Sequence, residues 1–264
     1  MHLKRVVVAL IAVPLLYLYV VKLSPAYFLI LLAVISALAQ HEFHAMYRTP
    51  RSMSIVGIIG GALLIGAAFF VPASAPEKAM TMAFVVIFML IASARLFLRK
   101  NPVFALRDIS PAVVSIIYIP VLLLPLWYLR LDGCEWIFLL CLSVWSADTF
   151  AYYIGSSIGK RKLYKEVSPN KTVEGAVGSI GGGIFAAIVF GHYLVRGIGM
   201  SKLAWIGAII GAVTIVGDLV ESMFKRDAGI KDSGSLIPGH GGVLDRIDSI
   251  LFAGPTLYFL KSLI

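Results

Sequence analysis

Charge is what this sequence has least of. Only 14% of its 264 residues are Asp, Glu, Lys or Arg, against about 25% in soluble domains. That leaves too little polar surface to cover a soluble globule. Cysteine is scarce as well. The two present, Cys134 and Cys141, form no Cys-x-x-Cys pair, which argues against a zinc site or dithiol redox chemistry. On one helix they would stand about 10 Å apart, at about 1.5 Å rise per residue, beyond the reach of a disulfide. No Pro- or Ser-rich linker, low-complexity run or internal repeat divides the chain, so it reads as one folding unit. Two familiar motifs are incomplete. The stretch from Gly155 to Arg161 is one residue short of a P-loop and lacks the Ser or Thr after Lys160, and His41-Glu42-Phe43-His44 has the wrong spacing for a His-Glu-x-x-His zinc helix.

What the chain does have is apolar length: 59% of its residues are hydrophobic and the mean hydropathy is +0.92. Nine runs stand out, roughly Val6–Val21, Ala26–Leu38, Ile55–Val71, Ala79–Leu98, Ile109–Leu129, Trp136–Ile154, Val173–Leu194, Leu203–Val220 and Leu244–Leu263. Most approach the roughly 17–25 residues needed to cross a bilayer. In lipid the backbone must satisfy its own hydrogen bonds, so these runs are helices. The expected fold class is all-α, a polytopic integral membrane protein with about nine transmembrane helices in a single membrane domain over residues 1–264.

The net charge of +9 would suggest nucleic acid on a soluble protein. Here the basic residues are scattered over short loops between apolar runs. Topology, anionic head groups and an anionic substrate account for them, and no nucleic-acid partner is expected. Most fall on the side of the N-terminus, among them Lys4, Arg5, Arg48, Arg51, Lys160, Arg161, Lys162, Lys225 and Arg226. The positive-inside rule then places the N-terminus in the cytoplasm and the C-terminus outside. The N-terminus also resembles a signal peptide with a poor cleavage site at Ser24-Pro25-Ala26. Cleavage would only uncover another hydrophobic run, so the first helix is expected to be retained.

The sixth, eighth and ninth runs carry acids within them or at their ends: Asp148, Asp218 with Glu221, and Asp245 with Asp248. Three uncompensated acids at helix centres would cost on the order of 8–10 kcal/mol. They must therefore be paired, solvated, bound to metal or close to the interface. Asp218 and Glu221 share a helix face at a spacing of three, as do Asp245 and Asp248. Topology brings all of them to one membrane depth on the cytoplasmic side. Taken singly, each acid reads as a helix-end cap or surface ion pair; Glu221 and Lys225, for instance, are spaced i,i+4. Taken together on three helices, they favour a metal site. Oxygen ligands of this kind suit Mg²⁺, which bridges substrate phosphates and keeps waters. Asp218 and Asp245 are the first-choice ligands, with Asp148, Glu221 and Asp248 behind them.

Phosphate-binding chemistry follows directly in sequence. Lys225, Arg226 and Lys231 supply mobile and bidentate positive charge. The turn Pro238-Gly239-His240-Gly241-Gly242 lets backbone N–H groups approach a phosphate and opens a helix whose N-terminus favours anions. His240 is placed to donate to a phosphate or to shuttle a proton, or to serve simply as a loop histidine bonded to backbone. A second basic loop, Ser168-Pro169-Asn170-Lys171-Thr172-x-Glu174-Gly175, lies on the same side, where Lys171 can meet a polyphosphate. The small-residue repeats Gly57…Gly61, Gly178…Gly182 and Gly207…Gly211 suit close helix packing and a contact between two copies of the chain.

The run from Ser222 to Asp248 closely resembles the C-terminal motif of phosphatidate cytidylyltransferases, or CDP-diacylglycerol synthases. The match comprises Ser222, Lys225, Arg226, Lys231, Asp232, Gly234, Pro238, His240, Gly241, Gly242, Asp245, Arg246 and Asp248. Two weaker matches precede it, Asp148-Thr149-Phe150-Ala151-Tyr152 with Gly155, and Ser168–Thr172, where the family often has Lys in place of Asn170. The resemblance covers roughly residues 145–250, and the first five runs match only in hydrophobic character.

The resemblance implies an enzyme that joins CTP and phosphatidate, with Mg²⁺ and a second cation where two are used, to give CDP-diacylglycerol and pyrophosphate at the cytoplasmic face of the cell (inner) membrane. It implies catalytic roles for Asp218, Asp245, Lys225, Arg226, Lys231 and His240. It implies substrate contacts from Lys171, Ser222, Asp232, Gly241, Gly242 and Arg246. Residues 1–130 would form a scaffold or lipid access, and residues 136–264 would carry the nucleotide and metal site. Two other readings stay open. A CTP-dependent polyprenol kinase shares part of this pattern but would release CDP. An ion-coupled transporter would use membrane acids, but at mid-depth and in repeated halves. A CDP-alcohol phosphotransferase fits less well, because its Asp-Gly-x-x-Ala-Arg run is absent.

Overall fold

The apolar runs fold as helices, as backbone pairing within lipid requires. The computed structural model describes residue 14 and residues 17–71, 76–234 and 241–264. After a π-helical turn at Leu18–Lys22 come eight helices: α1 Pro25–Met46, α2 Arg51–Phe70, α3 Pro76–Arg99, α4 Ala105–Asp132, α5 Cys134–Ile158, α6 Val173–Leu194, α7 Met200–Asp227 and α8 Leu244–Ser262. Pro25 opens α1 at a position where its missing N–H costs nothing. Within α4 the ladder widens to a π turn over Ile117–Val121, which contains Pro120. A short hairpin, β1 Lys162–Tyr164 paired antiparallel with β2 Ser168–Thr172, joins α5 to α6.

Helices α1–α7 are long and apolar enough to cross a membrane, and the chain is an all-α polytopic membrane protein. The sequence expectation of about nine spans becomes seven among the described residues. The run Val6–Val21 lies largely outside them. The run Leu244–Leu263 does form α8, but Asp245, Arg246, Asp248 and Lys261 keep it out of the apolar set. Many large side chains on the outer helix faces are apolar and exposed, including Ile59, Leu63, Met89, Val177 and Trp205. A lipid solvent favours such an arrangement, and water does not.

By packing, the chain forms two compact units. The first comprises the chain up to Tyr128 together with Asp232–Asp245, and the second comprises Leu129–Lys231 with Arg246–Ile264. The sequence groups Asp232–Asp245 with the C-terminal helices, whereas packing groups it with the N-terminal ones.

In the first unit, Phe43, Met53, Leu64, Ile65, Ile91, Ile116 and Ile119 are buried apolar residues. A polar seam runs beside them. Ser36, Gln40 and His44, four residues apart on one face of α1, are all buried. Gln40 Nε2 donates to the Gly57 carbonyl at 3.2 Å and to Ser115 Oγ at 3.3 Å, and Ser115 Oγ also lies 3.3 Å from His44 Nε2. Gly57 makes room for this seam, since a Cβ there would come within 2.7 Å of His44 Nε2. Arg95, within α3, is accommodated by a buried ion pair. Its Nε stands 2.7 Å from Asp108 Oδ2, and its Nη2 donates to the Val103 carbonyl at 3.0 Å. Arg99 Nε adds a second contact to Asp108 at 3.4 Å. Pairing of this kind is how a charged side chain persists within an apolar helix.

The second unit is built on backbone-to-backbone helix contact. Gly182 of α6 faces the Ser146 carbonyl of α5, and on the other side Gly183 packs directly on Gly207 of α7. Small residues allow this approach, and dispersion between the closely packed helices holds them together. Both cysteines lie on α5 as free thiols. At one end of the unit, Lys261 pairs with Asp132 and lies over the Trp136 ring. The hairpin lies at the opposite end, where α5 stops and α6 begins.

Candidate active site

Local chemistry at the hairpin fixes where Lys171 stands. Thr172 caps α6, its Oγ1 accepting from Gly175 N at 3.1 Å. Glu174, in the first turn, accepts from Lys160 N at 3.0 Å and from Arg161 N at 3.2 Å. Val173 N donates to the Arg161 carbonyl at 2.9 Å. The stretch that resembled a P-loop is thus the end of α5 and the start of a hairpin strapped to α6. Its last two amides, those of Lys160 and Arg161, serve Glu174.

From that strap Lys171 Nζ reaches to 2.6 Å from Asp218 Oδ2. The other oxygen of Asp218 accepts from Ser222 Oγ at 3.2 Å, one turn further along α7. Asp148 on α5 and Asp248 on α8 lie within electrostatic reach of Asp218 and of each other. Lys171 acts on Asp148, and Lys225 on Asp248. Glu221 is buried and pairs with Lys225 Nζ at 2.5 Å, the i,i+4 pair expected from the sequence. Arg226 holds the loop that joins the hairpin strands, donating from Nε to the Val167 carbonyl at 3.3 Å and from Nη1 to the Ile230 carbonyl at 3.0 Å. Lys231 is exposed. The second unit therefore gathers Asp148, Lys171, Asp218, Glu221, Ser222, Lys225 and Asp248 from three helices and a strand at one end of its bundle.

The part of the motif from Asp232 to Asp245 belongs to the first unit. Asp245, in the first turn of α8, accepts from Ser233 N at 3.1 Å, from Ser233 Oγ at 2.9 Å and from Gly242 N at 2.8 Å, all through Oδ2. Gly241 takes a left-handed backbone, with φ +82°, where glycine is favoured. The sequence offers the amide of Gly242 to a phosphate; in the structure it serves Asp245. The next two amides, Val243 N and Leu244 N, donate to Glu42 at 2.9 and 2.8 Å. Asp232 and Arg246 are exposed. His240, with Ser235–Gly239, lies outside the described residues. The two first-choice ligands, Asp218 and Asp245, thus fall in different units.

Glu42 and Ser233 are the residues the sequence reading did not single out. The signal for Glu42 was present but weaker: it is an acid four residues past the end of the run Ala26–Leu38, which the helix carries on to Met46.

Among the described residues, no three His, Cys, Asp or Glu side chains are grouped so as to hold a metal ion. The donor chemistry of Asp148, Asp218 and Asp248 nevertheless fits a hard cation. Mg²⁺ is usually bound by one or two carboxylates together with substrate phosphates and water, which an aspartate cluster flanked by lysines can accommodate.

An all-α membrane protein with aspartates and lysines gathered at one end of a helix bundle is the class of molecule this fold defines. The model of the cytidylyltransferase family matches residues 3–264, and the chain belongs to that family. A phosphatidate cytidylyltransferase of Bacillus subtilis is 47% identical over 131 residues, which is 50% of this chain and 49% of that protein. One from Synechocystis is 46% identical over 121 residues, 46% of this chain and 41% of that protein. One from Staphylococcus aureus is 35% identical over 217 residues, 80% and 78% of the two chains. The matched region spans about half the length or less of the first two relatives.

Proposed function

We propose that this protein transfers the cytidylyl group of CTP to phosphatidate, forming CDP-diacylglycerol and pyrophosphate at the cytoplasmic face of the cell membrane. The observation that carries this reading is the ion pair of Lys171 with Asp218, set among Asp148, Asp248 and Lys225, in a chain of this family.

In the reaction, a phosphate oxygen of phosphatidate attacks the α-phosphorus of CTP. A new oxygen–phosphorus bond forms as the bond from the α-phosphorus to the bridging oxygen of the β-phosphate breaks. Pyrophosphate departs with that electron pair. A phosphate monoester is already nucleophilic near neutral pH, so no protein nucleophile is needed. Lys171, Lys225, Arg226 and Lys231 balance charge on the triphosphate and the lipid phosphate. Lys171 and Lys225 are held in place by Asp218 and Glu221, which lowers the cost of ordering them when an anion arrives. A divalent cation, Mg²⁺ by its ligand preference, would be held by Asp218 with Asp148 or Asp248 and would neutralise phosphate charge. Asp245 keeps the ligand role read from the spacing of the acids in the sequence.

The test is purified protein in detergent with CTP, phosphatidate and Mg²⁺, following labelled cytidine into lipid and pyrophosphate into water. Both products should appear together and vanish with chelator. CDP release onto a polyprenol acceptor instead would identify a kinase. Folded protein silent with both acceptors would return the weight to transport.

A further inference from the structure

Glu42 is an acid in the last turns of the apolar helix α1, four residues before its end, and only 3% of it is exposed. Such a group is costly unless its oxygens are satisfied. Among the described residues, its hydrogen-bond partners all come from one segment, Ser233 to Leu244. Oε1 accepts from Val243 N at 2.9 Å, and Oε2 accepts from Leu244 N at 2.8 Å and shares the Ser233 hydroxyl, whose Oγ lies 3.2 Å away. Gly234 makes the approach feasible, since a Cβ there would come within 2.7 Å of Oε1.

These bonds do two things. They cap α8 from outside, filling N–H donors that a helix start leaves without intrahelical partners. They also place Ser233 between two carboxylates, because its Oγ lies 2.9 Å from Asp245 Oδ2 as well as 3.2 Å from Glu42 Oε2. A hydroxyl has one proton to give, so Ser233 couples the position of one carboxylate to that of the other.

We propose that Glu42 is a positioning residue whose carboxylate, acting through Ser233 and the amides of Val243 and Leu244, sets where Asp245 stands. Its importance for turnover rests on the function proposed above. Replacing Glu42 by Gln keeps its size but turns one oxygen into a donor, which then faces either Val243 N or the pair of Ser233 and Leu244 N. Donor meets donor, and the segment loses at least one anchor. Losing such outer partners typically costs about 10–100-fold in activity or metal affinity.

The experiment uses the full chain in detergent and two readouts, hydrogen exchange of the Val243 and Leu244 amides and steady-state kinetics against CTP, phosphatidate and Mg²⁺. In Glu42→Gln, exchange at these two amides should accelerate. With it, kcat should fall by about 10–100-fold or half-saturating Mg²⁺ rise by that factor, while KM for phosphatidate holds. Unchanged exchange overturns the proposal, whether or not the wild type transfers cytidine. Faster exchange with unchanged kinetics in an active enzyme overturns it too. A wild type that makes no CDP-lipid overturns the proposed function instead, and the exchange result still decides whether Glu42 fixes the segment. Should Glu42→Gln not fold, Ser233→Ala decides. A lower kcat with exchange at Val243 and Leu244 unaltered supports the coupling, and full activity refutes it.

Discussion

Lys171 and Asp218 meet at 2.6 Å, a strand residue and a helix residue 47 positions apart in the sequence. Both side chains are partly exposed, 22% and 36%. Such a pair contributes at most about 1 kcal/mol to stability, too little to explain it as a structural device. Asp218→Asn should therefore leave the unfolding temperature in detergent nearly unchanged while reducing cytidylyl transfer at least about 100-fold, as loss of preorganised charge at a phosphoryl centre does. A variant that unfolds early, or one that keeps full activity, would remove Asp218 from the proposed site.

The buried pair of Arg95 and Asp108 should behave the other way. Its side chains are 5% and 11% exposed, so Asp108→Ala leaves a guanidinium in an apolar helix. That costs about 3–5 kcal/mol. Replacing both residues, as in Arg95→Met with Asp108→Leu, should recover most of the loss. Thermal unfolding of the single and double variants measures this, and an equal loss in both would show that charge pairing is not what matters there.

Glycines of the second unit divide into two groups by what surrounds them. Gly183 lies against the Gly207 backbone, whereas a Cβ on Gly181 meets nothing within 4 Å. Gly183→Ala should destabilise by about 1–3 kcal/mol through overpacking. Gly181→Ala should be neutral or gain up to about 1 kcal/mol from helix propensity. Comparable melting of both variants would contradict the close approach of α6 and α7.

Orientation is tested at the chain end. A reporter active only in the cytoplasm, fused after Ile264, should stay inactive if the C-terminus lies outside. Lys202, which reaches the Ile264 carbonyl at 3.4 Å, should tolerate Ala without loss of turnover. A bright reporter reverses the topology, and an inactive Lys202→Ala variant would place chemistry at the wrong end of the bundle.

The helices were legible because lipid leaves the backbone few choices, and apolar length alone marks each span. The carboxylate–lysine end of the second unit was legible for a related reason: charges are rare in this chain, and each one in an apolar run calls for a partner. Spacing along one helix predicted the pairing of Glu221 with Lys225. It carried no information on Lys171 with Asp218, which depends on a hairpin turning the chain back. Least legible was the place of Asp232–Asp245. Sequence proximity to Asp218 suggested one continuous site segment, but the partner that fixes it, Glu42, lies 191 residues before Ser233. A periodicity argument does not see across that distance. The amide of Gly242 likewise looked like a phosphate donor until its acceptor, Asp245, was in view.

That separation has a consequence for how the protein is made. At about 5–20 residues per second, the ribosome delivers Glu42 about 10–40 s before Ser233, Val243 and Leu244 exist. For that interval α1 carries an acid whose eventual partners have not been synthesised, and only water or lipid head groups are at hand to solvate it. The N-terminal helices cannot complete their own interior until nearly the whole chain has emerged. An early helix pair in this protein accordingly waits for a late segment to return to an acid laid down near the beginning.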